Sequence, residues 1–268
     1  MFGKSTNPQD YQQVARPIAA MAKDFAAGYR VARHHHERAQ LVFAARGVMQ
    51  VTAAGGIWVV PPHRGLWIPG AVDHEIRCTG DVAMRTLYIR PDAANGLPLS
   101  VCVLAIQPLL RELILEAVKL PLDYAERERG GRIMALILDE LRALPVLPLH
   151  LPMPHDPRLV RICNAIMAAP ALRRPLAAWG STIGASSRTL ARLFLRETSM
   201  SFGAWCRQAR LLNALACLAE GQKVTSIALD LGYDSPSAFT SMFRRHLATT
   251  PSRYFRDDER DPPVDRSA

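Results

Sequence analysis

Between residues 18 and 90 the apolar positions fall into short stretches, at 41–44, 48–51, 57–60, 66–69 and 84–89, separated by Gly, Pro and Asp at nearly regular spacing. That punctuation predicts short β-strands, and their number predicts a small barrel or sandwich. Arg46, Gly47 and Val48, and Ala54, Gly55 and Gly56, read as hairpin turns. After about residue 98 the period changes. Leu109, Leu110, Leu113, Ile114 and Ala117, and then Ile133, Leu136, Ile137, Glu140 and Leu141, recur at helical spacing and predict amphipathic helices over 101–119 and 132–144. Their apolar faces suit either packing on the strands or a dimer interface. Residues 144–157 contain five prolines, a density that helices and sheets do not tolerate, so a stiff linker is expected there. From 158 to 256 no alternation is visible, and the chain reads as wholly helical.

The helical part is written twice. In the first copy a short helix from Leu176 runs into Gly184, then a Ser-rich turn, then a second helix with Leu190 and Phe194 on one face. In the second, a helix from Val224 runs into Gly232, then Asp234, Ser235 and Pro236, then a helix with Phe239 and Phe243. Glycines that accept positive φ stop the first helix of each copy. Ser186 or Ser187, and Asp234 or Ser235, are placed to cap the second. This is the pattern of a helix-turn-helix. Residues 201–220 between the copies read as one helix about 30 Å long, close to the roughly 34 Å of one DNA turn. One chain is thereby able to place two recognition helices in successive major grooves.

Charge sharpens that reading. The net charge is +9, but residues 1–156 carry 17 basic and 15 acidic side chains, 157–256 carry 14 and 4, and 257–268 carry 2 and 5. The excess therefore lies in the helical repeat, and 13 of its 14 basic residues are Arg, which suits bidentate contacts to guanine and phosphate. Positions off the core face of the second helix in each copy are the expected base readers: Ser187, Arg188, Thr189, Ala191 and Arg192, then Ser237, Ala238, Thr240 and Ser241. The second set is smaller and carries less sequence information. Arg196, Arg244, Arg245, Arg253 and Arg256 are expected on phosphates, which fix register without reading sequence.

These residues resemble the AraC/XylS family of bacterial transcriptional regulators. The resemblance covers residues 158–256 and rests on Ile227-Ala-x-x-x-Gly232-Tyr-x-Ser235-x-Ser-x-Phe239-x-x-x-Phe243 and on Thr250-Pro251-Ser-Arg-Tyr254. Ser199 and Ala248, each just after a recognition helix, stand where the family usually has Gly. Upstream, His34-x-His36-x-x-x-Gln40 together with Pro69, Gly70 and His74 resembles the cupin-type sensor domain of many such regulators. The resemblance implies an α+β, two-domain chain: a cupin-like barrel over 1–95, helices for dimerisation over 96–144, a linker over 145–157, a double helix-turn-helix domain over 158–256 and an acidic tail. It also implies double-stranded DNA, a small-molecule effector and a second copy of the chain as partners, with RNA polymerase added if the protein activates.

Enzymatic cupins hold a metal on two His, a Glu and a later His. Gln40 stands at the Glu position, and a neutral amide is a poorer ligand, so no cofactor is expected. Three readings stay open for the upstream residues. One is an effector pocket lined by His34, His36, Gln40, Phe43, Trp67, His74 and Tyr88; another is a metal on His34, His36 and His74; the third is structural hydrogen bonding. His35 should point to the opposite face. Five scattered Cys without a C-x-x-C pair argue against a disulfide framework, and no stretch of about 18 apolar residues exists. A soluble cytoplasmic regulator, not an enzyme, is the expectation. A metal-dependent oxygenase fused to a DNA-binding module and a non-specific architectural DNA binder are the alternatives.

Overall fold

The computed structural model describes residues 5–62, 64–147 and 149–254. The chain divides into two compact units, Met1–Leu151 and Pro152–Ala268. The expected phosphate contact Arg256 and the acidic tail lie outside the described residues.

The first unit contains strands β1 (Ile18–Phe25), β2 (Arg30–His34), β3 (Ala39–Ala53), β4 (Gly56–Val60), β5 (Arg64–Ile68), β6 (His74–Ile89), β7 (Cys102–Ala105), β8 (Val146–Leu147) and β9 (His150–Pro152), with helices α1 (Pro108–Ala117) and α2 (Arg129–Arg142) between β7 and β8. The strands form one sheet in the order β1-β6-β3-β5-β7-β8. This corrects the expectation of a cupin-type barrel. Among the described residues no pairing joins β1 to β8, so the sheet has two ends. It branches instead of closing. β6 takes β1 along Val82–Ile89 and β2 nearer its start, and β3 takes β5 along one half and β4 along the other. Regularly spaced apolar stretches report how many strands there are, not which edges meet.

The long strands also correct two local expectations. Arg46, Gly47 and Val48 form no hairpin; they sit inside the 15-residue β3 at shifts of register against β6. Gly47 has φ +77°, and a Cβ there would run into the Asp81 carbonyl, so the glycine permits a bulge that bends the strand. Ala54 and Gly55, with φ of 39° and 75°, do make the β3–β4 hairpin. The helix expected from residue 101 begins only at Pro108. Residues 102–105 pair with β5, because an unbroken apolar run reads equally well as a buried strand.

One face of the sheet carries Ile18, Leu41, Phe43, Trp67, Leu87 and Ile89, and it packs against Leu110 and Ile114 of α1 and Ile137 and Leu141 of α2. The apolar faces of both helices are thus buried on the sheet, with Leu109 and Leu136 turned outward. The proline-rich segment contributes β8 and β9 as well as the connection. Pro145 precedes β8, Pro152 ends β9 and Pro157 opens the next helix, positions that lose little by lacking an N–H.

The second unit is all helical: α3 (Pro157–Ala168), α4 (Leu176–Ile183), α5 (Ser187–Thr198), α6 (Phe202–Ala219), α7 (Val224–Asp230) and α8 (Pro236–Leu247). Leu190, Phe194, Trp205, Leu215, Ile227, Phe239 and Phe243 are buried at its centre. Asp156 caps α3 by accepting from the Arg158 backbone N–H at 2.9 Å, and its carboxylate takes the Arg158 guanidinium at 2.7 Å.

Candidate functional site

The two helix-turn-helix units are built from the same local devices. α4 ends on Gly184 with φ +74°, and the N–H groups of Gly184 and Ala185 both donate to the Gly180 carbonyl. After α7, Tyr233 donates to Ala228 and Gly232, at φ +76°, donates to Leu229. Both stops use the left-handed C-terminal geometry that glycine adopts without strain. Of the alternative caps, Ser186 accepts from Thr189 N–H at 3.1 Å and Ser235 from Ala238 N–H at 3.1 Å. The second turn is one residue longer, with Gly232, Tyr233, Asp234 and Ser235 where the first has Gly184, Ala185 and Ser186. Arg173 fastens it, donating to the Gly232 carbonyl and pairing with Asp234 at 3.3 Å. Buried Leu190 and Phe194 anchor α5, and Phe239 and Phe243, with ring centroids 5.8 Å apart, anchor α8. These anchors orient the opposite faces.

On α5, Ser187, Arg188, Ala191 and Arg192 are exposed and Thr189 is half-buried. The Thr189 hydroxyl lies 2.9 Å from the capping Ser186 hydroxyl, so it is engaged in the turn. On α8, Ser237, Ala238 and Ser241 are exposed and Thr240 is half-buried. Arg196, Arg244, Arg245 and Arg253 are exposed. Among the described residues Arg188, Arg192, Arg244, Arg245 and Arg253 have no ion pair, whereas Arg196 pairs with Glu197 at 3.2 Å. Other arginines of the unit are structural. Arg174 covers the Trp179 ring at 4.3 Å, and Arg210 donates to the Pro170 carbonyl at 2.8 Å. α6, 18 residues long, spans about 27 Å between the two helix-turn-helix motifs.

In the first unit the expected pocket residues separate onto two faces. Gln40 and Tyr88 are register partners on β3 and β6, and the Gln40 amide donates to Thr86 Oγ1 at 3.0 Å and to the Tyr88 hydroxyl at 3.4 Å. The Tyr88 ring meets His36 edge-on at 5.1 Å, and His36 meets His34 at 4.7 Å and His74 at 5.5 Å. Phe43 and Trp67 belong instead to the face under α1 and α2. Alternation along β3 explains the division, since residues 40 and 43 differ by an odd number of steps and point to opposite faces. Trp67 also borders a cavity of about 430 Å³ lined by Glu37, Pro69, Gly70, Leu97 and Pro98. His35 is exposed and lies 3.1 Å from Asp73.

His36 and His74 are 4% and 2% exposed, and burial above all, reinforced by the neighbouring histidines, lowers both to about 4. Both rings are therefore neutral at neutral pH. Neither nitrogen of His36 has a partner, nor has His74 Nε2 or Gln40 Oε1. An unpaired buried polar atom costs about 1–3 kcal/mol. Two residues of this region escaped the sequence reading. Tyr11, fully buried, packs its ring 5.7 Å from Tyr88, and buried Arg38 donates to the carbonyls of Gln12, Val14 and Arg16. An aromatic in a mostly polar N-terminal stretch was the only available sign of the first, and nothing marked the second.

Residues 179–257 match the helix-turn-helix domain family, and residues 25–141 match the AraC-like ligand binding domain. Over 221 residues the chain is 36% identical to the HTH-type transcriptional regulator NimR of Escherichia coli (strain K12), covering 82% of this chain and 81% of that protein. This chain belongs to the AraC family of transcriptional regulators. Regulatory protein SoxS of Salmonella typhimurium is 40% identical over 72 residues, 26% of this chain and 67% of its own. The crystal structure of ToxT from Vibrio cholerae covers 88% of this chain and 94% of its own at 11% identity, with a TM-score of 0.37. As an AraC-family member the chain is a DNA-binding regulator with a ligand-binding N-terminal domain, and its relatives are regulators, not enzymes. No helix among the described residues is long and apolar enough to cross a membrane.

Proposed function

We propose that the protein reads a two-part operator through α5 and α8 and that a small molecule bound in the first unit controls this binding. The observation that carries the reading is the pair of capped recognition helices, each with an apolar anchor inside and small or arginine side chains outside. Arg188 and Arg192 lie one turn apart on α5, exposed and without ion pairs, so both guanidinium groups are available to a base edge. α8 offers Ser237, Ala238 and Ser241 and reads less. Arg244, Arg245 and Arg253 supply phosphate contacts. The effector part of the reading is supported by the cavity of about 430 Å³ beside Trp67 and Glu37, which falls within the usual size of a small-molecule site. Control by that ligand requires different affinities for two states of the protein.

Competition binding at physiological salt tests the DNA part. A duplex enriched from random sequence should outcompete random duplex by about 10³-fold or more. Equal affinity for both would favour a purely electrostatic, architectural binder.

A further inference from the structure

The first half of β6 alternates. His74, Ile76 and Cys78 are buried on one side of the sheet, and Glu75 and Arg77 are exposed on the other. On that outer side the register sets Arg77 directly opposite Arg30 of β2 and directly opposite Gln50 of β3. Thr52 of β3 stands opposite Glu75. Two guanidinium groups thus rise from neighbouring strands with their Cβ atoms about 4.5–5.5 Å apart, a placement that is destabilising for like charges. Among the described residues neither Arg30 nor Arg77 has an ion pair, and the side chains of Gln50, Thr52 and Glu75 make no hydrogen bond. All five line a pocket of about 350 Å³, within the usual size of a small-molecule site, and it shares no residue with the cavity beside Trp67. Edge strands carry charge to repel other strands. That accounts for Arg30, because among the described residues β2 pairs only with β6. It does not account for Arg77, which has β2 on one side and β3 on the other.

We propose that Arg30 and Arg77 together bind one oxyanion, the carboxylate or phosphate group of a small molecule seated in this pocket. Each guanidinium is a planar fork of donors matched to such a group. The Gln50 amide and the Thr52 hydroxyl add neutral donors beside it. An anion between the two cations replaces their mutual repulsion with a shared contact. Two observations favour a small ligand over a nucleic acid. Residues 1–156 carry 17 basic and 15 acidic side chains, so the surrounding unit lacks the broad positive field that a polyanion needs. Glu75, on the same face two residues before Arg77 and so about 7 Å along the strand, repels a second phosphate. The inference rests on neither the operator reading nor the cavity beside Trp67, since it concerns other residues and another face of the sheet.

The test follows the arginine Nε–H resonances of the full chain by two-dimensional NMR. Inorganic phosphate and, separately, acetate are titrated in at constant ionic strength. The resonances of Arg30 and Arg77, identified by their loss in Arg30→Gln and Arg77→Gln, should move together along one saturating curve. Which of the two anions saturates them distinguishes a phosphate ligand from a carboxylate one. Either variant should weaken the binding read at the remaining arginine by about tenfold or more, while Arg192→Ala leaves it unchanged. Glu75→Gln should tighten the binding of that anion by about twofold to threefold, a gain that a misfolded variant does not give. Shifts that fail to saturate with either anion, different curves at the two arginines, or a Glu75→Gln protein that binds no more tightly would each overturn the site. An equal loss of affinity for random duplex DNA in Arg30→Gln and Arg77→Gln would assign this face to nucleic acid and overturn it as well.

Discussion

Arg188 and Arg192 differ from Arg253 in kind, not only in place. Arg188 rises from the first turn of α5 and Arg192 from its middle, both exposed, whereas Arg253 lies beyond α8 in the closing turn. Arg192→Ala or Arg188→Ala should therefore relax specificity at one base position, by about 1–3 kcal/mol of discrimination. Arg253→Ala should weaken binding to all sequences alike and lower the salt slope by about 1. Binding to a set of single-base operator variants at several salt concentrations separates the two, and identical behaviour would refute the division. Asp156 offers a stability test at the same scale. Its hydrogen bonds with the Arg158 side chain hold its carboxyl down at about 2. The carboxylate therefore stabilises the folded chain fully above the unfolded value of about 3.9, and this contribution is lost as pH falls toward 2. Asp156→Ala should lower stability at pH 7 by about 1 kcal/mol through the lost cap and should flatten the acid side of the stability profile. Thermal melts from pH 7 down to pH 3 read both effects, and an unchanged acid limb would show that other carboxylates control it.

The two recognition helices end alike, on Ser199 at φ 55° and Ala248 at φ 57°. Both are left-handed positions at which a Cβ is strained. Ala248→Gly should thus stabilise the second unit by about 1 kcal/mol, less what the glycine adds to the entropy of the unfolded chain. Chemical denaturation decides it, and destabilisation would mean that the alanine methyl makes packing contacts worth more than the strain. The same positions show what was legible in the sequence. Helix ends in the second unit could be read closely, because Gly184, Gly232 and Pro236 act through local backbone geometry. The strands of the first unit could be located but not joined. Gly47 looks like a turn in sequence and is a bulge in structure, since only the partner strand distinguishes the two. The helix expected from residue 101 failed for a related reason: pairing with β5, a distant strand, decides between strand and helix for an unbroken apolar run. Among the candidate pocket residues, His34, His36, Gln40, His74 and Tyr88 come together, whereas Phe43 and Trp67 fall on the other face. Strand parity was available in the sequence for residues 40 and 43, but the partner of Trp67 was not.

For the whole molecule the division of labour follows the charge. The near-neutral unit is a two-ended sheet backed by two helices, and the basic unit is a pair of similar helix-turn-helix motifs joined by α6. The central claim is that both motifs read DNA. Selection of bound duplexes from a random-sequence pool by the full chain at physiological salt tests it most directly. A bipartite motif is expected, its two halves centred about 34 Å, or 10–10.5 base pairs, apart, with one base position of the sharper half relaxed on Arg192→Ala. A single short motif with no second half at that spacing would contradict the claim and leave α8 as a phosphate-binding support for α5.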